Sequence, residues 1–156
     1  MMPAAIPTVI PTLADMKALV GKEVAVSAWF DITQERINQF AHATGDHQWI
    51  HTDVERARKE SPFGGTIAHG FMTIAMVPAM LDSALTMADM KMGVNYGLNK
   101  VRLPAPVPAG SRLRARMTIQ RIDDIEGGAQ VEWGVVIERE GGAKPVCVAE
   151  VLMRRY

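Results

Sequence analysis

Apolar side chains occupy every side of a helix drawn through residues 66–85, where Ile67, Phe71, Met72, Ile74, Met76, Val77, Met80 and Leu81 leave no polar face. A helix of this kind has to be enclosed by the rest of the chain. With 156 residues there is material for one core and not two. After this helix the pattern changes to period two: Leu113, Ala115, Met117 and Ile119 alternate with Arg112, Arg114, Arg116 and Thr118, and Val131, Trp133, Val135 and Ile137 form a second alternating set. These are the signatures of half-buried antiparallel strands. Gly127–Gly128 and Gly141–Gly142 fall at hairpin spacing, and a last strand runs from about 145 to 153. The expected fold class is α+β, a single domain with an antiparallel sheet wrapped around one long central helix. Such a sheet keeps an open edge, and pairing with a second copy protects it, so a homodimer is expected.

The first half supplies the other elements. Residues 1–12 read as an extended N-terminal arm interrupted by Pro3, Pro7 and Pro11, and the domain proper is expected over 13–156. Thr12 caps a short helix that stops at Gly21, and the alternation of Val24, Val26, Ala28, Phe30 and Ile32 predicts one strand over 23–33 with those residues on its buried face. Thr33 then caps a helix that Gly45 ends, residues 46–51 form a loop, and Thr52 with Glu55 makes a capping box for the next helix.

Composition narrows the function. Lys+Arg and Asp+Glu balance at 17 each, with a pI near 6.9, which removes the electrostatic footprint of a nucleic-acid binder. The N-terminus lacks the basic start of a signal peptide, and the longest uncharged segment, 61–81, is interrupted by Pro62 and Pro78, so neither export nor a membrane span is expected. The single cysteine, Cys147, lies in an apolar run and reads as a core thiol in a cytoplasmic protein.

Chemistry concentrates in residues 40–70. Asp46 and His51 stand five residues apart beside apolar Trp49 and Ile50, a spacing that suits a carboxylate working with an imidazole on one water. The same residues also fit a turn-capping aspartate and a satisfied histidine. Gly65, Thr66 and Gly70 surround the start of the apolar helix, where free N–H groups can hold developing negative charge on oxygen; close packing of helix on sheet is the other reading of the glycines. His69 reads as a packing residue. A metal pair of His47 and His51, with Asp46, Asp53 or His69 as further ligands, needs a helix across 47–51, and no metal is expected.

Three segments, TGDHQWIHTDVERA, PFGGTIAHGF and GVNYGLNKVR, resemble the MaoC-like dehydratases and (R)-specific enoyl-CoA hydratases, in particular the branch that includes nodulation-protein-N-like proteins. The resemblance covers about residues 13–156. It implies the hot-dog fold, a dimer, and an acyl-CoA thioester as substrate with no separate cofactor. It implies a hydro-lyase that adds water reversibly and syn to trans-2-enoyl-CoA, giving (R)-3-hydroxyacyl-CoA; a hot-dog thioesterase or a non-catalytic acyl-thioester-binding protein are the alternatives. By motif, Asp46 and His51 match the residues that hold the hydrating water, and Gly70 matches the glycine whose N–H binds the thioester oxygen. The family's loop reads G-D-x-N-P-x-H, where this chain has Gln48 and Trp49; Gln48 still offers an amide toward substrate, and Asn95, characteristic of the branch, is expected to orient the loop or touch the substrate. A serine found further along the helix in some relatives is Pro78 here.

Overall fold

The computed structural model describes residues 7–156. The chain runs β1 (Thr8–Ile10), α1 (Leu13–Lys17), β2 (Glu23–Val26), β3 (Phe30–Ile32), α2 (Gln34–Thr44), α3 (Trp49–Thr52), α4 (Val54–Glu60), α5 (Gly70–Ala75), α6 (Val77–Ala84), β4 (Leu85–Met87), β5 (Gly93–Arg102), β6 (Ser111–Ile125), β7 (Gly128–Arg139) and β8 (Cys147–Arg155). The main sheet has the order β2-β6-β7-β8-β5, with β3 also on β6, and every pairing in it is antiparallel. A hot-dog arrangement results, with α5 and α6 against the concave face. Part of the expected arm, residues 1–6, lies outside the described residues; its other end, β1, pairs in parallel with β4. Among the described residues no helix is long and apolar enough to cross a membrane.

The alternating sets in β6 and β7 are buried as expected. Leu113, Ala115, Met117 and Ile119 pack beside Val131, Trp133, Val135 and Ile137 in one core that also takes in Met72, Met76, Met80 and Leu81 from the helices. Their arginine partners face outward, where Arg114 and Arg116 pair with Glu138 and Arg112 with Glu140 and Asp31. Cys147 is buried in this core, and burial pushes its thiol up to about 11.

Five expectations need correction. The central helix begins at Gly70 and not near 66, because residues 66–68 run extended: Ala68 N–H donates to Val107 O (2.8 Å) and Ala109 N–H to Thr66 O (3.0 Å). It is also broken at Met76 into α5 and α6. Pro78 has no N–H to give the Ile74 carbonyl and its ring clashes there, so the ladder resumes only with Met80 N–H to Met76 O. Nor is the helix enclosed on all sides within one chain, since Phe71 remains 78% exposed.

The strand expected over 23–33 is two strands, and its buried residues are Ala25, Ser27 and Ile32, while Val24, Val26, Ala28 and Phe30 are half-buried. A register irregularity between Glu23 and Ala25 changes the phase, and Ser27 replaces a ladder partner by accepting the Ala115 N–H on its hydroxyl. The expected Thr52/Glu55 box does not form. Thr52 closes α3 and its hydroxyl faces the His47 and Gln48 carbonyls, so Asp53 caps α4 by accepting the Arg56 N–H at 3.0 Å. Thr12, Thr33 and Gly45 do terminate their helices, Gly45 in the left-handed region at φ +80°.

Candidate active site

Asp46 follows directly on the Gly45 turn, and its carboxylate accepts the Gln48 N–H at 3.3 Å. His51 lies inside the single turn α3 and not in the expected loop, and it is buried there. The neighbouring Ile50 anchors this turn by accepting the Ile67 N–H at 3.0 Å, and the Arg56 guanidinium lies 4.3 Å over the Trp49 ring. The residues just before α5 are thereby stitched to the Asp46–His51 segment.

The His51 ring has a defined tautomer. Its Nδ1 is 2.7 Å from the Ile67 carbonyl oxygen, which can only accept, so Nδ1 carries the proton and Nε2 has the free lone pair. Burial pushes this imidazole below its ordinary value of 6.5. The bond to Ile67 works in the opposite direction, the His69 ring adds to the lowering, and Asp46 opposes it. The neutral, proton-accepting form therefore persists below pH 6.5. If His51 acts as a base, the acid limb of the kcat/KM profile should fall below 6.5, activity being lost only as pH drops through the depressed value; a limb above 6.5 would contradict this environment.

His69 belongs to the same cluster. Its ring stacks on His51 with centroids 3.9 Å apart, and its Nε2 donates to the Asp46 backbone carbonyl at 2.9 Å. One carboxylate oxygen of Asp46 and one ring nitrogen from each histidine lie within 4.8 Å of one another. Such a trio raises the question of a metal. Two rings inclined by only 25° direct their in-plane lone pairs side by side and not toward a common point, while Ile67 and Asp46 already hold one nitrogen of each. His47, the other residue of the metal reading, is exposed and lies against His42. The arrangement suits proton transfer better than metal binding.

Gly70 opens α5 directly after His69, and the helical bonds begin only with Met72 N–H to His69 O (3.1 Å), leaving the Gly70 N–H outside the ladder. A Cβ at Gly70 would meet the terminal methyl of Leu103, a half-exposed side chain that would have to turn aside to admit it. A cavity of about 380 Å³ runs past Gly70, Ala68, Thr73 and Leu103.

The other site candidates are placed differently. Thr66 is buried and its hydroxyl donates to Gln34 Oε1 at 2.5 Å, so it braces the site and does not present its side chain to a ligand. Gly65 lines a separate groove with Gln34, Arg58 and Phe63. Gln48 is exposed at the start of α3, within the Asp46 turn. Asn95 is not brought to Asp46 and His51 within one chain; it lies on β5 opposite Met153, in a cavity with Ile74, Pro78 and Tyr96. Sequence reasoning missed Gln34, whose amide nitrogen donates to the His51 carbonyl at 2.7 Å while its oxygen receives Thr66. Only its place on the inner side of α2 hinted at such a role.

The MaoC like domain family model matches residues 15–140, most of the chain. The chain belongs to the MaoC-like family. Among MaoC-like and related proteins, 3-hydroxyacyl-thioester dehydratase Z of Mycobacterium tuberculosis (strain ATCC 25618 / H37Rv) is 51% identical over 144 residues, which is 92% of this chain and 95% of that protein. Nodulation protein N of Rhizobium leguminosarum bv. viciae is 41% identical over 141 residues, covering 88% and 87%. The unliganded R-hydratase PhaJ1 from Pseudomonas aeruginosa superposes with a TM-score of 0.71 at 21% identity, over 87% of this chain and 81% of that one, a likeness of fold.

Proposed function

We propose that this protein is an (R)-specific enoyl-CoA hydratase, adding water reversibly and syn to a trans-2-enoyl-CoA without metal or redox cofactor. The observation that carries the reading is the His51 tautomer: Ile67 holds Nδ1 and leaves Nε2 free to accept a proton, on a ring of which one nitrogen lies within 4.8 Å of an Asp46 carboxylate oxygen. A water bridging the two gives up a proton to the pair as its oxygen attacks C3. The electron pair moves through C2 onto the thioester oxygen, where the Gly70 N–H at the start of α5 stabilises the enolate. Collapse of the enolate takes the proton back from the pair at C2, on the face from which water came, so atoms and charge balance over the cycle. The reverse sequence dehydrates a (R)-3-hydroxyacyl-CoA. The name of the 51% identical relative, a 3-hydroxyacyl-thioester dehydratase, supports this direction of chemistry.

The test is one assay with two readouts on a panel of trans-2-enoyl-CoA substrates. Loss of the conjugated-enoyl absorbance without free thiol is the expected result; thiol release with the double bond intact would make the protein a thioesterase, and neither signal would leave a binding protein.

The reading also requires a homodimer. Among the described residues β5 is the last strand of the sheet, bonded only to β8, and carries Val94, Tyr96 and Leu98 exposed, with Phe71 exposed on α5. An unpaired apolar edge of this length invites a second copy. Light scattering should give twice 17.1 kDa, and Leu98→Lys should shift the protein toward monomer with loss of turnover. A fully active monomer at assay concentration would refute the requirement.

A further inference from the structure

Resting on the hydratase reading above, we propose that His69 is the positioning residue that couples the acid/base segment to the helix start: its side chain holds the Asp46 backbone and the His51 ring while its backbone begins α5. Four observations converge on it. The His69 ring is only 2% exposed, although an imidazole without a role is costly to bury. Its Nε2 is 2.9 Å from the Asp46 carbonyl oxygen, which only accepts, so Nε2 must carry the proton. In a neutral ring this leaves Nδ1 bare, and Nδ1 is buried without a hydrogen-bond partner among the described residues. A packing residue would not carry that penalty when phenylalanine fills similar space, so the donor at Nε2 is what the position retains. Third, the ring packs against two others, stacked on His51 at 3.9 Å and tilted against Phe40 at 4.9 Å, contacts that restrain its orientation and that of His51. Fourth, the His69 carbonyl accepts the first helical N–H groups, from Met72 and Thr73, so the residue that grips Asp46 also sets where Gly70 stands.

The consequence is geometric. Asp46 is half exposed and follows a glycine turn, and nothing else in its own segment but the bond to Gln48 N–H restrains its carboxylate. The His69 donor ties that turn to the buried side of the site. Loss of this tie should misplace the carboxylate relative to His51 and Gly70 without removing any group that touches substrate, and a displacement of about 1 Å in such a constellation can cost about 100-fold in turnover.

Two substitutions separate positioning from packing. His69→Phe keeps the ring, its volume and the stack but has no donor. His69→Gln loses the aromatic stack but places an amide N–H where Nε2 was. A tie through the donor predicts that Phe lowers kcat by about 10- to 100-fold with KM within about threefold, and that Gln recovers most of kcat. A packing role predicts the reverse order, so Phe as active as wild type, or more active than Gln, overturns the proposal. Melting temperatures within about 4 °C of wild type keep the comparison on activity. A measurement on the unmodified protein covers the case in which a variant fails to fold: nitrogen–proton correlation NMR should find neutral His69 protonated at Nε2, and protonation at Nδ1 alone would exclude a bond to the Asp46 carbonyl. Asp46→Asn and His51→Ala are run in the same assay. If they retain full turnover the hydratase site itself is wrong; if they are inactive while His69→Phe matches wild type, only the role of His69 fails.

Discussion

Asp46→Asn and His51→Ala are each expected to lower enoyl-CoA hydration by at least ~10²-fold, and the double variant to be little worse than the poorer single one. On the proposed mechanism one water is shared between the Asp46 carboxylate and the free His51 Nε2, so removing either partner would remove the proton path and leave nothing for the second change to take away. Asp46→Asn is the cleaner of the two. The side chain is about half exposed, the amide has the same shape, and Asn still accepts the Gln48 N–H, so the fold should be unaffected. His51→Ala removes a buried ring and the face on which His69 stacks, and some loss of stability should accompany the loss of activity. Steady-state kinetics on short and medium trans-2-enoyl-CoA substrates decide the matter. Near-normal turnover in either single variant, or losses that multiply in the double variant, would end the assignment of these residues as a unit.

The largest effect on stability is expected at Trp133. It is 1% exposed in the middle of β7, opposite Ile119 on β6 and Val151 on β8, and it borders a cavity of about 240 Å³ with Leu81 of α6 and Met87 of β4. It therefore fills the space between the centre of the sheet and the second central helix. Trp133→Ala should cost about 3–5 kcal/mol, because the indole's burial is lost and the new void joins an existing one that the strands on either side cannot close. Against a total stability of roughly 5–15 kcal/mol this is a large share. Denaturant unfolding at fixed protein concentration should show a lower midpoint with an unchanged slope, and a melting temperature lower by on the order of 10 °C. A cost below about 1 kcal/mol would mean that the sheet and α6 do not share one core.

Much of this molecule is legible in its amino-acid sequence. The strands β6 and β7 follow from alternation, since a sheet with one buried face imposes period two on each strand locally. Thr12, Thr33 and Gly45 mark helix ends because capping involves neighbours within a few residues. Asp46 and His51 are candidates through their residue types and spacing, and the three motifs around them carry the family.

What tertiary structure alone decided concerns backbone and side-chain groups whose partners lie far along the chain. The apolar run from 66 has helical composition, but the pairing of residues 66–68 with 107–109 takes its first turn, so α5 starts at Gly70. Thr66 stands beside the site in sequence, yet Gln34, 32 residues away, claims its hydroxyl. Asn95 shares a motif with the family but sits on the β5 edge, away from Asp46 in one chain. His69 reads as packing until the fold brings its Nε2 to the carbonyl of a residue 23 positions earlier. Periodicity and capping record which side of a segment is buried and where it stops. They carry no information about which distant group meets a given donor, and that meeting is what brings an aspartate, a histidine and a glycine together as a candidate site.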